Sequence, residues 1–326
     1  MTKYVISGYI GFDNFGDEAI CSVLTNHLQQ LNAEKITVIS LNPVKTSELY
    51  GVNSCGMLNF FKPIFESDIL ISGGGSLLQD VTSLKSLIYY LSVIVTALFL
   101  GKKVLIFAQG FTPFKTKIGK IFTRFVLKYC NRITVRDTFS QKFLYDLGIS
   151  SDLVCDPVYA LETPKNISHS GVGVQLRYFP NLTDEFLDAL AEEIYKNFPN
   201  QEIKLFSLQD KSDLPVIEHF GEILTAKGSL IRVYKNLSIT ETINQISSLE
   251  FLIGMRFHSC LVAIKSGVKL LGINYDIKVK TLSEEIGFPI INMFGCETIK
   301  GIENLKNVNP NYYKLSNIQK KLDTDI

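Results

Sequence analysis

Arg256 and His258 lie two residues apart inside Gly254-Met-Arg-Phe-His-Ser-Cys-Leu-Val-Ala-Ile-Lys-Ser-Gly267. The apolar run Phe251-Leu-Ile before them reads as a buried strand. The apolar-periodic, Pro-free segment after them reads as a helix. A strand-to-helix turn presents backbone N–H groups and the positive end of a helix dipole, which favour an anion. A guanidinium and an imidazole at that turn make a site for a phosphate or carboxylate, with proton transfer beside it. The plain alternative is a capped helix with Arg256 in a structural ion pair. Arg136, closing Arg132-Ile-Thr-Val-Arg-Asp137, poses the same choice between an anion contact and a pair with Asp137 or Asp156.

Two glycine-rich stretches also follow apolar strands. Lys3–Ser7 runs into Gly8-Tyr-Ile-Gly-Phe-Asp-Asn-Phe-Gly-Asp-Glu18, with glycines at Gly8, Gly11 and Gly16. This is neither the dinucleotide spacing nor a P-loop, since no Gly-Lys-Ser/Thr follows. Asn14, Asp17 and Glu18 suit sugar hydroxyls better than a bare phosphate, although helix capping by Asp17 would account for that residue by itself. Asp68-Ile-Leu-Ile71 leads into Ser72-Gly-Gly-Gly-Ser-Leu-Leu-Gln-Asp80. Consecutive glycines there let a ligand approach the backbone closely, and ligands of open α/β sheets bind outside the carboxyl ends of the strands. Gly11, Asn14, Asp17, Gly73, Gly74, Gly75, Gln79 and Asp80 are therefore the candidate contacts of one shared cleft.

The elements that must position these residues alternate strand and helix along the chain, the pattern of a doubly wound α/β protein. Strands are expected at Lys35–Leu41 and Lys103–Ala108. Helices are expected from about Asp17 to Leu31 and over Leu84–Leu100, Lys115–Lys128 and Ser140–Leu147. Asp156-Pro157 and the polar stretch Thr163–Ser170 mark a boundary, after which Gly171–Arg177 restarts the βα pattern. Helices follow at Thr183–Phe198 (capped by Thr183), Val216–Lys227, Thr240–Ser248 and Lys278–Ile286, the last closed by Gly287. Strands are expected at Ile203–Ser207, Ile231–Tyr234 and Lys269–Asp276. The division is 1–162, 163–310 and a polar C-terminal helix over 311–326 that packs back on the first lobe.

The 326 residues suit two domains, and 46% hydrophobic with 20% charged residues describes a folded globular chain. A net charge of +1 gives no bulk pull toward nucleic acid or membrane. The distribution is less even. No acidic residue falls between Asp80 and Asp137, while Lys85, Lys102, Lys103, Lys115, Lys117, Lys120, Arg124, Lys128, Arg132 and Arg136 do. The apolar part of Leu84–Leu100 is too short to span a bilayer. The basic helix after it could lie on an anionic membrane surface, or simply be a solvated face. Six scattered cysteines with no paired spacing, few histidines and no signal peptide read as a reduced, cytoplasmic chain without a zinc site.

In order, the chain carries Gly8-Tyr-x-Gly-x-x-Asn-x-Gly-Asp-Glu18, Gly73-Gly-Gly-Ser-Leu-Leu-Gln-Asp80, Ala108-Gln-Gly110, Val135-Arg-Asp137, Asp156-Pro157, Gly254-Met-Arg-x-His258 and Tyr275-Asp-x-Lys278. These seven motifs, over about residues 4 to 290, resemble the polysaccharide pyruvyl transferases of bacterial cell-wall and exopolysaccharide synthesis. The resemblance implies two Rossmann-like lobes facing across a cleft, as in GT-B glycosyltransferases. It implies transfer of the carboxyvinyl unit of phosphoenolpyruvate onto two hydroxyls of one sugar, in a cell-surface glycan or its lipid-linked precursor, giving a cyclic ketal and phosphate. It also implies no cofactor, with phosphoenolpyruvate as donor substrate, and is compatible with a homo-oligomer and with a cytoplasmic place at the inner membrane face.

On this resemblance Arg136, Arg256, His258 and Lys278 serve the donor, Phe257 lines the same place, and the loops Gly11–Asp17 and Gly73–Asp80 serve the acceptor. The chemistry agrees. A donor carrying phosphate and carboxylate needs several fixed cations, which also removes the need for a metal. The reaction must protonate a methylene carbon and deprotonate hydroxyls, and His258 can do either. His27, His169 and His219 lie outside the motifs and read as surface or capping residues. The competing reading, a glycosyltransferase using a nucleotide sugar, calls for a ribose-binding carboxylate near Glu241 or Glu284.

Overall fold

The computed structural model describes residues 1–165, 168–293 and 302. The chain forms two compact units, the first running to Leu161 and the second starting at Glu162. The expected helix at 311–326 lies outside the described residues.

The first unit runs β1 (Lys3–Ser7), α1 (Phe15–Gln30), β2 (Lys35–Ser40), α2 (Pro43–Tyr50), β3 (Asn53–Gly56), α3 (Phe61–Glu66), β4 (Ile69–Gly73), α4 (Leu84–Phe99), β5 (Lys103–Gln109), α5 (Lys117–Leu127), β6 (Arg132–Val135), α6 (Thr138–Asp146) and β7 (Asp152–Leu153). A short 3-10 turn, Pro157–Ala160, ends it. The second unit runs β8 (Val172–Gln175), α7 (Asp184–Asn197), β9 (Glu202–Phe206), α8 (Asp210–Ala226), β10 (Leu230–Tyr234), α9 (Ile239–Ser247), β11 (Phe251–Gly254), α10 (Phe257–Lys265), β12 (Lys269–Asn274), α11 (Ile277–Ile286) and β13 (Ile290–Asn292).

Each unit is built on one parallel sheet. The orders are β3-β2-β1-β4-β5-β6-β7 and β10-β9-β8-β11-β12-β13. In both, the first strand of the unit sits mid-sheet and the chain winds outward from it in each direction. This places a topological switch point between β1 and β4, and another between β8 and β11. Strands covered on both faces must be apolar throughout, which is why they appear in the sequence as continuous runs. Val5, Leu70, Val104 and Ile106 are packed with Leu87, Leu91 and Ile94 of α4 in the first core. Val172, Val174, Leu205, Ile253 and Leu271 are packed with Leu190, Ile194 and Phe220 in the second. Each such side chain contributes roughly 1.5–3 kcal/mol by leaving water.

Three departures from the sequence reading bear on the site. The α1 cap is Asn14, whose Oδ1 accepts from the Gly16 and Asp17 N–H groups, so Asp17 is not the cap. The helix expected from Val216 begins six residues earlier, at Asp210, and holds Pro215 within it. The proline removes one helical hydrogen bond, and α8 tolerates that loss because Ile217, Phe220 and Leu224 anchor it in the core. The elements α2, α3, β3, β7 and β13 were not read from the sequence at all; they are short, and β3 and β7 lie at the sheet edge.

Candidate active site

In the first unit the two glycine loops leave neighbouring strands on either side of the switch point and meet. Gly75 adopts φ +64°, and a Cβ there would collide with Asp17 Oδ1. Only glycine fits that place without strain. A Cβ on Gly8 would stand 3.0 Å from the Gly73 carbonyl oxygen. Gly11, at φ +82°, lies against the end of β2, where a Cβ would come within 2.6 Å of the Asn42 nitrogen. Gly74 donates to the Phe107 carbonyl at 3.3 Å and Gly110 to the Gly75 carbonyl at 2.9 Å, which ties the second loop to β5.

Gly110 also carries the contact onward. A Cβ there would stand 2.8 Å from Ser76 Oγ and 2.9 Å from Arg136 Nε. Arg136 is buried, and its Nη1 donates to Asp156 Oδ2 at 2.7 Å, with Asp137 Oδ2 4.0 Å from Nε. Its Nη2 reaches Ser76 Oγ at 3.4 Å. Both carboxylates weighed as partners in the sequence are therefore present, Asp156 as the close one. The residue before this corner, Ala108, takes φ +45° at an irregularity in the β5–β6 pairing. Side-chain-bearing residues are held in that region only where surrounding structure forces them, and such strain gathers at functional sites.

Three polar residues of these loops are occupied within the protein. Glu18 Oε1 accepts from the Gly11 N–H at 2.7 Å and Oε2 from the Tyr50 hydroxyl at 2.6 Å. Burial raises the Glu18 pKa above its ordinary 4.5, against the opposing pull of these two donors. Asp80 is buried, and accepts from the Lys115 N–H at 2.6 Å, the Thr116 N–H at 2.8 Å and the Thr116 hydroxyl at 2.5 Å. Burial alone would raise its pKa, but these donors together hold it below the ordinary 3.8. Asp80 thus fixes the entry to α5. Gln79 closes a local turn, accepting from the Val81 and Thr82 N–H groups.

In the second unit the ends of three adjacent strands converge. Arg256, the N-cap of α10, follows β11; Arg177 follows β8; Tyr275 and Asp276 follow β12. The Arg256 N–H donates to Gln175 Oε1 at 2.6 Å, and its Nε and Nη2 grip the two oxygens of Asp213 at 2.8 and 2.5 Å. Nη2 also meets Ser212 Oγ at 2.6 Å. Asp213 is fully buried and takes further donors from the Leu208 N–H at 3.0 Å and the Gln209 N–H at 3.2 Å. The structural ion pair foreseen as the alternative for Arg256 is therefore real. It also holds the guanidinium plane at the switch point, which a bidentate carboxylate does and a single contact does not.

His258 sits on the first turn of α10, partly exposed, with its ring edge-on to Phe257 at 5.2 Å. Lys278 begins α11, its Nζ 3.7 Å from Asp276 Oδ2 and still partly open to solvent. Arg177 was not marked in the sequence. Its guanidinium lies 5.3 Å from the Tyr275 ring centroid, its Nη1 reaches the Tyr275 hydroxyl at 3.5 Å, and its backbone N–H meets Met255 Sδ at 3.4 Å. Among the described residues Arg177 makes no ion pair, and its Nε is buried without a hydrogen-bond partner. The rule that singled out Arg136, an arginine at a strand's carboxyl end, would have found it. With Asp213 offsetting Arg256 and Asp276 facing Lys278, Arg177 supplies the cluster's uncompensated positive charge.

The model of the polysaccharide pyruvyl transferase family matches residues 14–277, a span that includes the first loop from Asn14 onward, the whole loop Gly73–Asp80, Arg136, Arg256 and His258. The chain belongs to the polysaccharide pyruvyl transferase family. It is thereby a member of a transferase family of polysaccharide biosynthesis. No curated protein matches it. Solved structures show where else this fold occurs. UDP-GlcNAc 2-epimerase from Methanocaldococcus jannaschii superposes with a TM-score of 0.65 at 13% identity, over 96% of this chain and 94% of that one. The S. aureus MnaA–UDP co-structure gives 0.67 at 9%, over 97% and 91%. Anabaena HepE in complex with UDP and glucose gives 0.60 at 9%, over 99% and 98%. At such identity the likeness is one of fold, and it places this pyruvyl transferase family member among GT-B-type α/β proteins. Among the described residues no helix is long and apolar enough to cross a membrane.

Proposed function

We propose that this chain is a ketal-forming pyruvyl transferase that uses phosphoenolpyruvate as donor and a sugar of a cell-surface glycan, or its lipid-linked precursor, as acceptor. The observation that carries this reading is the second unit's cluster, in which Arg177, Arg256, His258 and Lys278 gather at the ends of β8, β11 and β12. Two guanidiniums and an ammonium suit a small ligand carrying a carboxylate and a phosphate. A family whose members act on polysaccharide supplies the acceptor class.

In the reaction, C3 of the enol phosphate takes a proton and becomes a methyl group. One sugar oxygen then bonds to C2 and loses its hydroxyl proton, which balances the proton taken by C3. The C2–O bond to phosphate breaks, the second oxygen bonds to the same carbon, and the second hydroxyl proton leaves with the phosphate. His258, partly open at the start of α10, is the group that moves a proton. Arg177 and Arg256 orient the anion, and Lys278 neutralises the departing phosphate. Arg136 keeps the catalytic role that the resemblance implies, and the paired loops Gly11–Asp17 and Gly73–Gly75 hold the acceptor. Asp17, whose carboxylate lies against Gly75 where the two loops meet, is the acceptor contact there.

The glycosyltransferase reading loses its candidate carboxylates. Glu241 closes a capping box with Ser238, and Glu284 faces Lys280 on an exposed helix surface. The test is to give the protein labelled phosphoenolpyruvate or a labelled nucleotide sugar, with lipid-linked glycan acceptors. The proposal expects phosphate release and an acceptor heavier by one pyruvate ketal. Label transfer from the nucleotide sugar, with no phosphate released from phosphoenolpyruvate, overturns it.

A further inference from the structure

The helix α5 buries its less apolar side. Gly119, Thr123, Val126 and Leu127 face inward, while Ile118 is 68% exposed, Ile121 67%, Phe122 54% and Phe125 59%. At 100° per residue these four fall within one stripe of the helix. Lys117, Lys120 and Lys128 follow along one edge of that stripe, all exposed. The neighbouring helix α4, packed against α5, presents Phe99 at 88% exposure. Because β4, β5 and β6 are adjacent and in order, right-handed crossovers put α4 and α5 on the same side of the sheet.

Solvent alone does not explain an apolar stripe of this kind, since large exposed apolar patches mark interaction surfaces. The charge around it selects the partner. From Val81 to Arg136 the chain has no acidic residue, so the whole α4–α5 layer is positive. A protein partner's face is ordinarily of mixed charge, and a second copy of this layer would bring like charges together. An anionic bilayer matches both features, taking aromatic and aliphatic side chains at the acyl boundary and lysines at the headgroups.

We propose that the outer face of α5, with the end of α4, is a docking surface for an anionic lipid bilayer, on which the protein lies without spanning it. The surface is separate from the residues assigned to chemistry, so the proposal stands whether or not the donor reading does.

The full chain is floated with phosphatidylcholine vesicles and with vesicles that also contain phosphatidylglycerol. Binding is expected only to the second kind, weakening as salt rises. Lys117→Glu with Lys120→Glu should cut it by at least about 25-fold, from roughly fivefold per lysine near an anionic surface. Phe122→Ser with Phe125→Ser should cut it about tenfold or more. The thermal midpoint should hold in both, because all four side chains are exposed. Phe122→Trp places a tryptophan in a chain that has none, and its emission should shift to the blue on the anionic vesicles only. Equal binding to both vesicle types, or no binding to either, overturns the proposal. So does a tryptophan that stays solvent-exposed while the protein floats. A concentration-dependent dimer in light scattering that Phe122→Ser with Phe125→Ser dissociates would instead make the face a contact between copies.

Discussion

The two units share one winding order and solve the switch point differently. In the first, backbone does the work: glycines at Gly11, Gly74 and Gly75 with positive φ bring two loops together, and the acidic side chains beneath them, Glu18 and Asp80, are used inside the protein. In the second, side chains do it: Gln175, Arg177, Asp213, Arg256 and Tyr275 interlock at the strand ends. Bare backbone admits a bulky neutral ligand such as a sugar ring. Fixed cations suit a small anion. The outer surfaces differ as well. Of the strongly exposed large apolar side chains among the described residues, all but Tyr178, Tyr195 and Leu230 belong to the first unit. One topology thus presents two kinds of surface, backbone at one switch point and interlocked side chains at the other.

That contrast can be broken first at Asp213. Asp213→Ala leaves the buried Arg256 guanidinium without its carboxylate, and should cost the second unit about 3–5 kcal/mol while leaving the first unit's stability unchanged. Hydrogen exchange at α8 and β11, compared with β1 and β4, reads the difference; uniform loss across both sheets would contradict it. His258→Gln comes next. It should lower turnover by roughly 10²–10⁴ with little change in unfolding, since the imidazole is partly exposed. Undiminished phosphate release from phosphoenolpyruvate would remove His258 from the chemistry.

The backbone half of the comparison is sharpened by Gly75→Ala beside Gly267→Ala. Both residues have positive φ, but a Cβ at Gly267 meets nothing within 4 Å, whereas at Gly75 it strikes Asp17. Gly267→Ala should cost about 1 kcal/mol and Gly75→Ala measurably more, with weaker acceptor use as well. Equal losses in urea unfolding would mean that the two loops do not press on one another.

The smallest effects are in the pH dependence of the first unit, where two carboxylates act with opposite sign. Asp80 is held below its ordinary value, so its stabilisation is present above pH 3.8 and lost as pH falls through its folded pKa. Glu18 is raised, so its contribution is present below pH 4.5 and lost as pH rises through its folded pKa. Thermal midpoints of Asp80→Asn should therefore lose the acid-side decline of the parent. Those of Glu18→Gln should lose the decline above pH 4.5. A parallel offset at every pH would show that neither group titrates with folding.

The alternation of strand and helix, the caps at Thr183 and Gly287, and the place of six of the seven motifs at a strand's carboxyl end were legible in the amino-acid order; Asp156-Pro157 was read as a boundary, and β7 before it was not read. They depend on neighbours a few residues away: periodicity, N-cap oxygens, and a glycine free to turn left-handed. What each motif residue touches was not legible. Asp213 meets Arg256 from 43 residues away, in a helical turn that the sequence reading began only after Pro215. Arg177 reaches Tyr275 across 98 residues because β8, β11 and β12 lie side by side. In α5, periodicity marks two opposed faces, and the more apolar one would be expected inside. The packing of Gly119 and Thr123 against the layer beneath turned it outward. Local sequence determined where loops, caps and cations stand along the chain. Strand order and helix packing, which join residues distant in sequence, decided which charges are paired, which glycines press together and which apolar face is left exposed.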